Sequence, residues 1–510
     1  MGWQFLAFIR HYCRWRISLA GSDSHMIEFM FDPSGVLFLG ANNLNQDGRI
    51  NTGSGGLMPL TTKKYWGVLG VLFLAIVLLT AGLSEEDISL DNVHYAATSK
   101  SVLVSGNPLV LSVAGQSYFK KPPLFFWLNS LFLFLFGFHA WSAKILSIVF
   151  GFLSVLMVYR FSLSVTRDVD MGAASVFVML TTYTFFRNVK ACRMESMLLF
   201  LILLSVWHAV RFIKTGQARH LYVWATLAGL AVFTKGAAGI LPFLTGVLFF
   251  GINRKSRQGF RKRDMLLAFL LFTSVFGWWY VYIGAQPGFW KIFLNQEILQ
   301  RTGMIAGPGH MHFSRYPVYT FVWDFLKDYF LYIPLLVYGW YCWRDDRPGS
   351  LEIQALTILA ILQLVSIHFI ETKYARYLLP VYPVCAVFAG IGAIRLSRFV
   401  TRSTIVIFAI TSLLVVTFWP VPLGRNDYRI LDRINKLAHQ KNVVLVVDPR
   451  YYANWVNKSA VFFFLDHYQV AKKDMKGLSH SYYVTSPEMS APDNLFLLVQ
   501  TPKVAVYQVR

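Results

Sequence analysis

The sequence predicts an all-α protein that crosses a membrane about 11 to 13 times and ends in a small α/β domain. The 510 residues are 55% hydrophobic and only 15% charged, which is more apolar than soluble globular chains usually are. Apolar runs of about 17 to 21 residues recur from Tyr65 to Trp419, each long enough to cross the hydrocarbon core as a helix. Towards the C-terminus these runs give way to short β-like stretches such as NVVLVV and KVAVYQV.

The apolar runs define the individual spans and one exception. The predicted spans are 65–83, 141–160, 171–187, 194–213, 221–234, 237–252, 265–284, 329–343, 352–369, 376–395 and 403–420. The further run at 124–137 is only about 14 residues long and follows a Pro-Pro pair, so we expect a juxtamembrane or re-entrant segment there.

Composition divides the chain into three parts. Residues 1–57 contain the polar, Gly-rich stretch ANNLNQDGRINTGSGG, which predicts a poorly ordered extension. Met58 stands just ahead of the first span and indicates a later translation start. We expect residues 58–425 to form the transmembrane domain, with an outer loop at 84–121, and residues 426–510 to form a small α/β domain outside the cytoplasm.

The basic loops orient the chain in the membrane. The formal net charge is +22, but the Lys and Arg residues lie in short loops between spans, which favours lipid headgroups over nucleic acid as their partner. The loop at 253–263 holds six basic residues and is the surest cytoplasmic anchor. Counting from it, the segments that face outwards are 84–121, 187–196, Lys235, 285–328, 371–376 and everything after 420. Several of these are basic against the usual bias, which predicts an anionic ligand on the outer face.

The first outer loop combines carboxylates with lysines. It carries Glu85, Glu86, Asp87 and Asp91, followed by Lys120 and Lys121 at the membrane surface. Asp91 begins a helix-like run, so a helix N-cap is the structural alternative for it. The functional interpretation is transfer of a group from a lipid phosphate. A phosphate departs as a stable anion, so such a transfer needs one base to activate the acceptor and cations to hold the leaving group.

An ordered set of motifs resembles a known family. DNVHYA, SGN, YFKKPPLFFWLNSLFLFLFG, RMES, GLAVFTKGAAGILP, GWWYVYIGAQPGFWKIFL and KYARYLLPVYP occur in this order between about residues 65 and 395. They resemble the GT-C glycosyltransferases of the protein O-mannosyltransferase superfamily, and most of all the bacterial lipid A aminoarabinose transferases. The resemblance implies a GT-C type membrane fold, a polyprenyl-phosphate sugar donor and an active site outside the bacterial cytoplasmic membrane.

The resemblance also implies roles for individual residues. Asp91 occupies the position of the catalytic carboxylate, and Glu195 in RMES matches a second acidic position, so both are expected catalytic residues. Lys121, with Lys120 beside it, matches the basic residue of a lysine-proline motif, and we expect both lysines to bind the donor phosphate. Lys373 and Arg376 match a basic pair that faces the donor phosphate.

Three departures from the family pattern concern this site. Asn92 replaces the second acid of an acidic pair, and His94 stands where Arg is common. Lys120 replaces a Glu that, with a His in the long loop, is a suggested metal site in the aminoarabinose branch. Losing a carboxylate and gaining a cation argues against a metal ion, so we expect neither a metal nor another cofactor.

Four residues are weaker candidates for substrate contacts: His94, Tyr95, Lys235 and His310. His310 and His312 are two residues apart, a spacing that suits a metal on a strand or loop, although a polar surface loop explains them more simply. Lys235 beside Gly236 interrupts an apolar stretch, and a charge at the bilayer centre is costly, so it indicates an outer turn or a donor contact.

The sequence therefore predicts a glycosyltransferase of the bacterial inner membrane, with its active site and C-terminus in the periplasm. The expected donor is a sugar on undecaprenyl phosphate, and the expected acceptor is lipid A or another envelope component. A protein O-mannosyltransferase-like enzyme is an alternative that changes only the acceptor. A flippase or transporter is the alternative from another class, but it predicts charges near the bilayer midplane, whereas these charges lie at the outer ends of spans.

Overall fold

A computed structural model describes most of the chain beyond the first span. The described residues are 17–20, 25–31, 37–43, 66–81, 83, 88, 91–253, 261–299, 319–346, 350–370, 373–418, 428–471, 481–489, 495–501 and 503–509. The chain divides into two compact units, Met1–Lys64 and Tyr65–Arg510.

The first unit contains an antiparallel sheet of three strands. Strands β1 (Ile17–Ala20), β2 (His25–Phe31) and β3 (Leu37–Asn43) pair in the order β1-β2-β3. The rest of this unit lies outside the described residues, so the poorly ordered extension at 1–57 stays a prediction.

The second unit is built mainly from helices. In chain order they are α1 (Trp66–Thr80), α2 (Asp91–Val104), α3 (Leu124–Phe136), α4 (Ile145–Thr166), α5 (Val169–Thr181), α6 (Tyr183–Val189), α7 (Glu195–Thr215), α8 (Ala218–Lys235), α9 (Leu241–Ile252), α10 (Lys262–Gly284), α11 (Phe289–Ile292), α12 (Tyr319–Tyr329), α13 (Ile333–Asp346), α14 (Leu351–His368), α15 (Tyr382–Leu396), α16 (Arg398–Phe418), α17 (Arg429–Lys441), α18 (Pro449–Ala453) and α19 (Trp455–Phe464). Short strands β4 (Ser112–Val113) and β5 (Gln116–Ser117) form a hairpin in the outer loop.

Every predicted span overlaps one of these helices. Within the described residues, five helical segments are long and apolar enough to cross a membrane, or up to seven if two bent pairs each count as one span. One pair is α5 with α6, bent by 74°, so the single span predicted at 171–187 is broken at Thr182. The other is α15 with α16, bent by 118°. The prediction of a multi-spanning helical protein is confirmed.

Helices α8 and α9 form a tight antiparallel hairpin. Gly236 has a φ of +60°, a backbone conformation that favours glycine, and it turns the chain directly after Lys235. A Cβ on Gly239 would lie 2.1 Å from the carbonyl oxygen of Ala231, so only glycine permits this approach. The indole of Trp224 donates to the carbonyl of Pro242 at 3.2 Å, further along the same pair. The 35-residue apolar run Ala218–Ile252 therefore folds back on itself, with Lys235 at the turn, as the sequence indicated.

Helix α2 carries Asp91 and packs against α3. One face of α2 is buried through Val93, Ala96 and Ala97. The side-chain amide of Asn129 on α3 donates to Ser99 Oγ at 3.1 Å. Helix α3 has 13 residues, about two thirds of the length that a perpendicular span needs. Its juxtamembrane or re-entrant placement stays a prediction.

The C-terminal part is a small α/β domain, as predicted. Strands β6 (Val444–Val447), β7 (Tyr468–Val470), β8 (Ser481–Thr485), β9 (Leu495–Gln500) and β10 (Ala505–Val509) form a sheet in the order β7-β6-β8-β10-β9. Strand β6 runs parallel to β7 and β8, and β10 runs antiparallel to β8 and β9. Helix α19 of this domain packs on α2, so the domain supports the helix that presents Asp91.

A buried lysine of α2 stabilises the contact between α2 and the C-terminal domain. Lys100 Nζ donates to the carbonyl oxygens of Phe463 at 3.1 Å and Leu465 at 3.4 Å, and lies 3.3 Å from Asp466 Oδ1. Because a buried ammonium is costly without partners, these three acceptors make the contact specific.

Candidate functional site

Asp91 is the first residue of α2 and faces Arg376. Its Oδ2 atom lies 3.9 Å from Arg376 Nη2, and 43% of its side chain is exposed. Arg376 lies in a 3₁₀ turn, Ala375–Leu378, that precedes α15. The sequence had placed Arg376 inside a span at 376–395. The helix begins later because Pro383 stands in its first turn, where a missing N–H breaks no helical hydrogen bond.

Glu195 connects Arg376 to a second cation. Its Oε1 atom lies 3.1 Å from Arg376 Nε and 3.1 Å from Lys235 Nζ. The three side chains are 6%, 16% and 9% exposed, respectively. Glu195 begins α7, where the positive end of the helix dipole favours a carboxylate. Burial opposes the charge on Arg376, but the Glu195 carboxylate raises the pKa of the guanidinium above its usual value.

These four side chains form a row of alternating charge, Asp91–Arg376–Glu195–Lys235, which we call the charge row. They come from α2, the 3₁₀ turn, α7 and the end of α8, which are far apart in the sequence. Two tyrosines support the cations. Arg376 lies 4.0 Å from the ring centroid of Tyr374, and Lys235 lies 5.6 Å from that of Tyr377. Such cation–π contacts hold a cation without neutralising it.

A small cavity of about 40 Å³ opens beside the charge row. Its polar end is formed by Glu195, Lys235, Arg376 and Gln363, together with Tyr377. Its other walls are apolar and are formed by Leu198, Leu199, Ile202, Ala238, Leu241, Leu379 and Pro380. Within the described part of the chain, Glu195 Oε2 is buried without a hydrogen-bond partner. The cavity is thus amphipathic, with an acceptor atom and two cations at one end.

Lys121 is buried and paired with a carboxylate that the sequence analysis did not single out. Its Nζ atom lies 2.6 Å from Glu297 Oε2, across 176 positions in sequence. Glu297 lies in a π-helical segment, Phe293–Leu299, which follows α11. The rings of Phe289 and Phe293 are stacked 5.4 Å apart in this region, and Phe289 contacts Phe119 beside the two lysines. Lys120 is exposed.

His94 is oriented towards the C-terminal domain. Its Nδ1 lies 3.0 Å from Ser459 Oγ on α19, and its ring meets those of Tyr118 and Trp455 edge-on. Burial and the nearby Lys120 ammonium lower the pKa of His94 to about 4, against the opposing effect of Asp91. His94 is therefore neutral at pH 7, and its described contacts support the fold rather than the charge row.

Tyr95 lies among the charges of the site. Burial raises the pKa of its phenol, and the carboxylates of Glu195 and Asp91 raise it further, while Arg376 and Arg193 oppose the shift. Its ring contacts Phe125 and Phe126 edge-on. Tyr95 is thus a neutral hydroxyl beside the charge row.

Arg193 is a second residue that the sequence analysis did not single out. Its Nε atom donates to Asn92 Oδ1 at 2.7 Å, and Nη1 donates to Asn188 Oδ1 at 3.4 Å. Its backbone N–H and carbonyl both bond to Ser147 Oγ, which fixes the start of the side chain. Arg193 lies within the quoted stretch RNVKACRMES, but only the folded chain brings it opposite Asn92.

Lys373 makes contacts that differ from those expected. Its Nζ atom donates to the carbonyl oxygens of Ile367 at 2.9 Å and Ile370, at the C-terminal end of α14. A lysine there satisfies carbonyls that the helix leaves unpaired. Burial lowers the pKa of Lys373. Its role at a donor phosphate stays a prediction.

Other predicted residues lie outside the described chain or lack a shared cluster. Glu85, Glu86, Asp87, His310 and His312 are outside the described residues. In the described ranges, no three His, Cys, Asp or Glu side chains are grouped so that they could hold a metal ion. The expectation that the site needs no metal stays a prediction.

Comparison with known proteins agrees with this architecture. Residues 120–280 match the family model for dolichyl-phosphate-mannose-protein mannosyltransferase. ArnT from Cupriavidus metallidurans superposes with a TM-score of 0.62 in its apo crystal structure, at 15% identity, covering 88% of this chain and 98% of ArnT. Its crystal structure bound to undecaprenyl phosphate gives a TM-score of 0.59 at 15% identity, covering 87% and 97%. The chain therefore has the fold of a multi-spanning membrane protein of the GT-C type.

Two curated relatives extend the comparison. An undecaprenyl phosphate-alpha-4-amino-4-deoxy-L-arabinose arabinosyl transferase from Enterobacter sp. (strain 638) is 25% identical over 326 residues, covering 60% of this chain and 55% of the relative. An uncharacterized protein from Aquifex aeolicus is 24% identical over 330 residues, covering 64% and 63%. The chain thus spans little more than half of these relatives' length. The resemblance to GT-C glycosyltransferases of the protein O-mannosyltransferase superfamily, near the lipid A aminoarabinose transferases, is confirmed.

Proposed function

We propose that this protein is a glycosyltransferase that moves one sugar from a polyprenyl-phosphate donor to an acceptor at the outer face of the bacterial inner membrane. The observation that carries the proposal is the charge row, three members of which, Glu195, Lys235 and Arg376, form the polar end of an amphipathic cavity. A lipid-linked sugar is divided into polar and apolar parts in the same way as the cavity, because its anionic phosphate lies between an apolar chain and a polar sugar.

Asp91 is the base in this proposal. It is the most exposed member of the charge row and so the one that an acceptor can reach. The acceptor hydroxyl oxygen attacks the anomeric carbon, its proton passes to Asp91, and the bond from the anomeric carbon to the phosphate oxygen breaks. The electron pair of that bond leaves with the phosphate, so a single carboxylate suffices.

The cations of the row stabilise the leaving phosphate. Arg376 can present two parallel N–H groups to a phosphate, while Lys235 acts as a point charge. Glu195 holds both cations in position, because its Oε1 atom contacts each at 3.1 Å. Since these groups are largely buried, their effect on developing negative charge exceeds what the same groups would have in water.

The apolar walls of the cavity suit the first part of a prenyl chain. Leucine and isoleucine side chains line it next to the cations. Each methylene removed from water contributes about 0.8 kcal/mol, so the lipid supplies affinity while the charge row supplies orientation. Undecaprenyl phosphate, which is bound in one of the ArnT crystal structures, is the proposed carrier.

The acceptor in this proposal is lipid A or a related envelope lipid. The resemblance of the sequence motifs to the lipid A aminoarabinose transferases supports this class. The family model, whose description refers to protein mannosylation, supports a protein hydroxyl as the second candidate. Mass analysis of lipid A and of envelope proteins from a deletion strain separates the two, because only the true acceptor loses its sugar.

A direct test is transfer of a labelled sugar from undecaprenyl-phosphate donors in proteoliposomes that contain the purified full-length chain. We expect labelled product that depends on the protein, and loss of product in an Arg376→Gln variant. Translocation of the intact donor across the bilayer without any transfer would contradict the proposal and support a flippase.

A further inference from the structure

A second group of basic side chains lies at the end of α7 opposite from Glu195. Its members come from α4, α7 and the start of α8, and we call them the basic cluster: Arg160, His208, Arg211, Arg219 and His220. Because α8 and α9 form an antiparallel hairpin, the start of α8 lies on the same side as the basic loop at 253–263. We therefore expect the basic cluster to face the cytoplasm.

Two histidines lie at the centre of the basic cluster. Nδ1 of His208 lies 3.0 Å from Nδ1 of His220, so one ring donates a hydrogen bond and the other accepts it. The charges of Arg160, Arg211 and Arg219 all act on His208. Three guanidinium groups are therefore close to one pair of imidazole rings.

The charges that act within the basic cluster are positive. Among the described residues, Arg211 provides the charge that acts on Arg160. Arg219 and Arg211 provide the charges that act on His220. Arg160 and Arg211 are half-buried. Like charges repel each other more strongly when they are partly removed from water, so an anion from outside the chain would stabilise this arrangement.

Neighbouring basic side chains on this side of the protein are paired with carboxylates. Lys214, one helical turn after Arg211, lies 2.5 Å from Glu352. Arg402 lies 2.5 Å from Asp170, near the start of the helix that follows α4. An excess of unpaired positive charge is thus a local property of the basic cluster within the described residues, and not of every cation on this side.

Aromatic and apolar side chains adjoin the basic cluster. The guanidinium of Arg160 lies 4.9 Å from the ring centroid of Trp207. Val223, one turn after the start of the cluster in α8, is 39% exposed. The predicted span 141–160 ends at Arg160, which places its guanidinium at the depth of the lipid headgroups. A lipid could contact the cations with its headgroup and the apolar side chain with an acyl chain.

We propose that the basic cluster binds the phosphate of an anionic phospholipid, in the leaflet on the side opposite from the charge row. The geometry that carries the proposal is the set of three guanidinium groups around the His208–His220 pair, beside the exposed apolar surface of α8. Guanidinium groups can bind phosphate oxygens with two parallel N–H groups. The inference goes beyond the proposed function, because it concerns the other end of α7.

His220 adds a hydrogen-bonding atom that fits this ligand. Within the described residues, its Nε2 atom is buried without a hydrogen-bond partner. If Nδ1 of His220 accepts from His208, the proton of the His220 ring lies on Nε2. A phosphate oxygen can accept a hydrogen bond from that N–H group.

The test measures binding to the purified full chain by native mass spectrometry. The ligands are phosphatidylglycerol, phosphatidylethanolamine, which adds an ammonium to the same phosphate, and sn-glycerol 3-phosphate, which lacks acyl chains. We expect phosphatidylglycerol to bind about tenfold more tightly than either of the others. Equal binding of phosphatidylethanolamine would overturn the selection for negative charge. Equal binding of sn-glycerol 3-phosphate would identify a soluble phosphate ligand and overturn the assignment to a lipid.

The Arg160→Gln/Arg211→Gln double variant tests the assignment to the basic cluster. One basic residue contributes about fivefold to the binding of anionic lipid, so we expect phosphatidylglycerol to bind about 25-fold more weakly. The matched control is Arg261→Gln/Arg263→Gln, which removes two exposed charges at the start of α10 on the same side. The control should stay within about threefold of the wild type. Equal losses in the two double variants would indicate general surface electrostatics and overturn the site.

The Arg160→Lys/Arg211→Lys variant separates the effect of charge from an effect on folding. It keeps both positive charges, so phosphatidylglycerol should bind within about threefold of the wild-type affinity. A loss as large as in the glutamine variant would mean that the loss does not follow the charge, and it would overturn the inference. Sugar transfer is not a readout in these experiments, so failure of the proposed function would leave their results unchanged.

Discussion

Replacing Glu195 with Gln tests the charge row most sharply, because it removes one negative charge between two buried cations. The side chains of Glu195, Lys235 and Arg376 are each at most 16% exposed. Removing one partner of a buried ion pair costs about 3–5 kcal/mol, since it leaves an uncompensated charge. Gln can still accept a hydrogen bond from one cation, so we expect the lower end, about 3 kcal/mol of unfolding free energy.

Undecaprenyl phosphate should reduce this deficit. Its phosphate brings a negative charge to the same two cations, so it binds without competition from the carboxylate in the Glu195→Gln variant. The assay is thermal unfolding of the detergent-solubilised protein, with and without undecaprenyl phosphate. We expect the variant to unfold several degrees below the wild type, and the gap to narrow when the lipid is added.

A second buried carboxylate provides the matched control. Glu352, in the first turn of α14, is also buried and lies 2.5 Å from Lys214, which is at the opposite end of α7 from Glu195. Glu352→Gln should lose stability as well, with a gap to the wild type that the lipid leaves unchanged. If Glu195→Gln is as stable as the wild type, or its gap widens with the lipid, the assignment of Arg376 and Lys235 to the donor phosphate is wrong.

Three other positions give measurable expectations. Glu297→Gln removes the anion that competes for Lys121, so undecaprenyl phosphate should bind about tenfold more tightly, equivalent to about 1.4 kcal/mol in a binding isotherm. Gly239→Ala forces a Cβ against the facing helix backbone and should lower the unfolding free energy by about 1–3 kcal/mol. His94 has a folded pKa of about 4, below the usual value, so the unfolded chain binds the extra proton first as the pH falls. The stability that neutral His94 contributes to the folded protein is complete above about pH 6.5 and is lost as the pH falls towards 4. Between pH 7 and pH 5, the unfolding temperature of His94→Gln should therefore fall less than that of the wild type.

Each of these expectations has its own control. Lys121→Gln should weaken binding of undecaprenyl phosphate, whereas Glu297→Gln should strengthen it. If both variants change the affinity in the same direction, Glu297 does not compete with the phosphate for Lys121. Gly251→Ala should be tolerated, because a Cβ there meets nothing within 4 Å. An identical pH dependence of wild type and His94→Gln would mean that His94 titrates normally in the folded protein.

The helices were largely predictable because membrane spans need long apolar runs. The hydropathy of these runs does not predict where the helices bend. The break at Thr182 lies within one apolar stretch, and the late start of α15 depends on how the 3₁₀ turn precedes Pro383. The turn at Lys235 was predictable, since a lysine beside glycine interrupts apolar sequence on both sides.

The site was predictable only in part. Asp91, Glu195 and Arg376 were identified from motifs, and the fold brings them together. Glu297 could not be assigned to Lys121, because an ion pair across 176 positions is set by tertiary packing. Lys373 was assigned by its place in a motif, but its ammonium meets carbonyls at the end of α14, a contact that depends on where that helix stops.

The central claim is that Asp91 is the base for sugar transfer, and the most direct measurement is the transfer rate of Asp91→Asn in proteoliposomes. The substitution keeps the size of the side chain and removes its basicity. We expect transfer to fall by about 10²- to 10⁴-fold, the usual contribution of a positioned base, while undecaprenyl-phosphate binding stays within about threefold because the cations remain. Full transfer activity in Asp91→Asn would contradict the account.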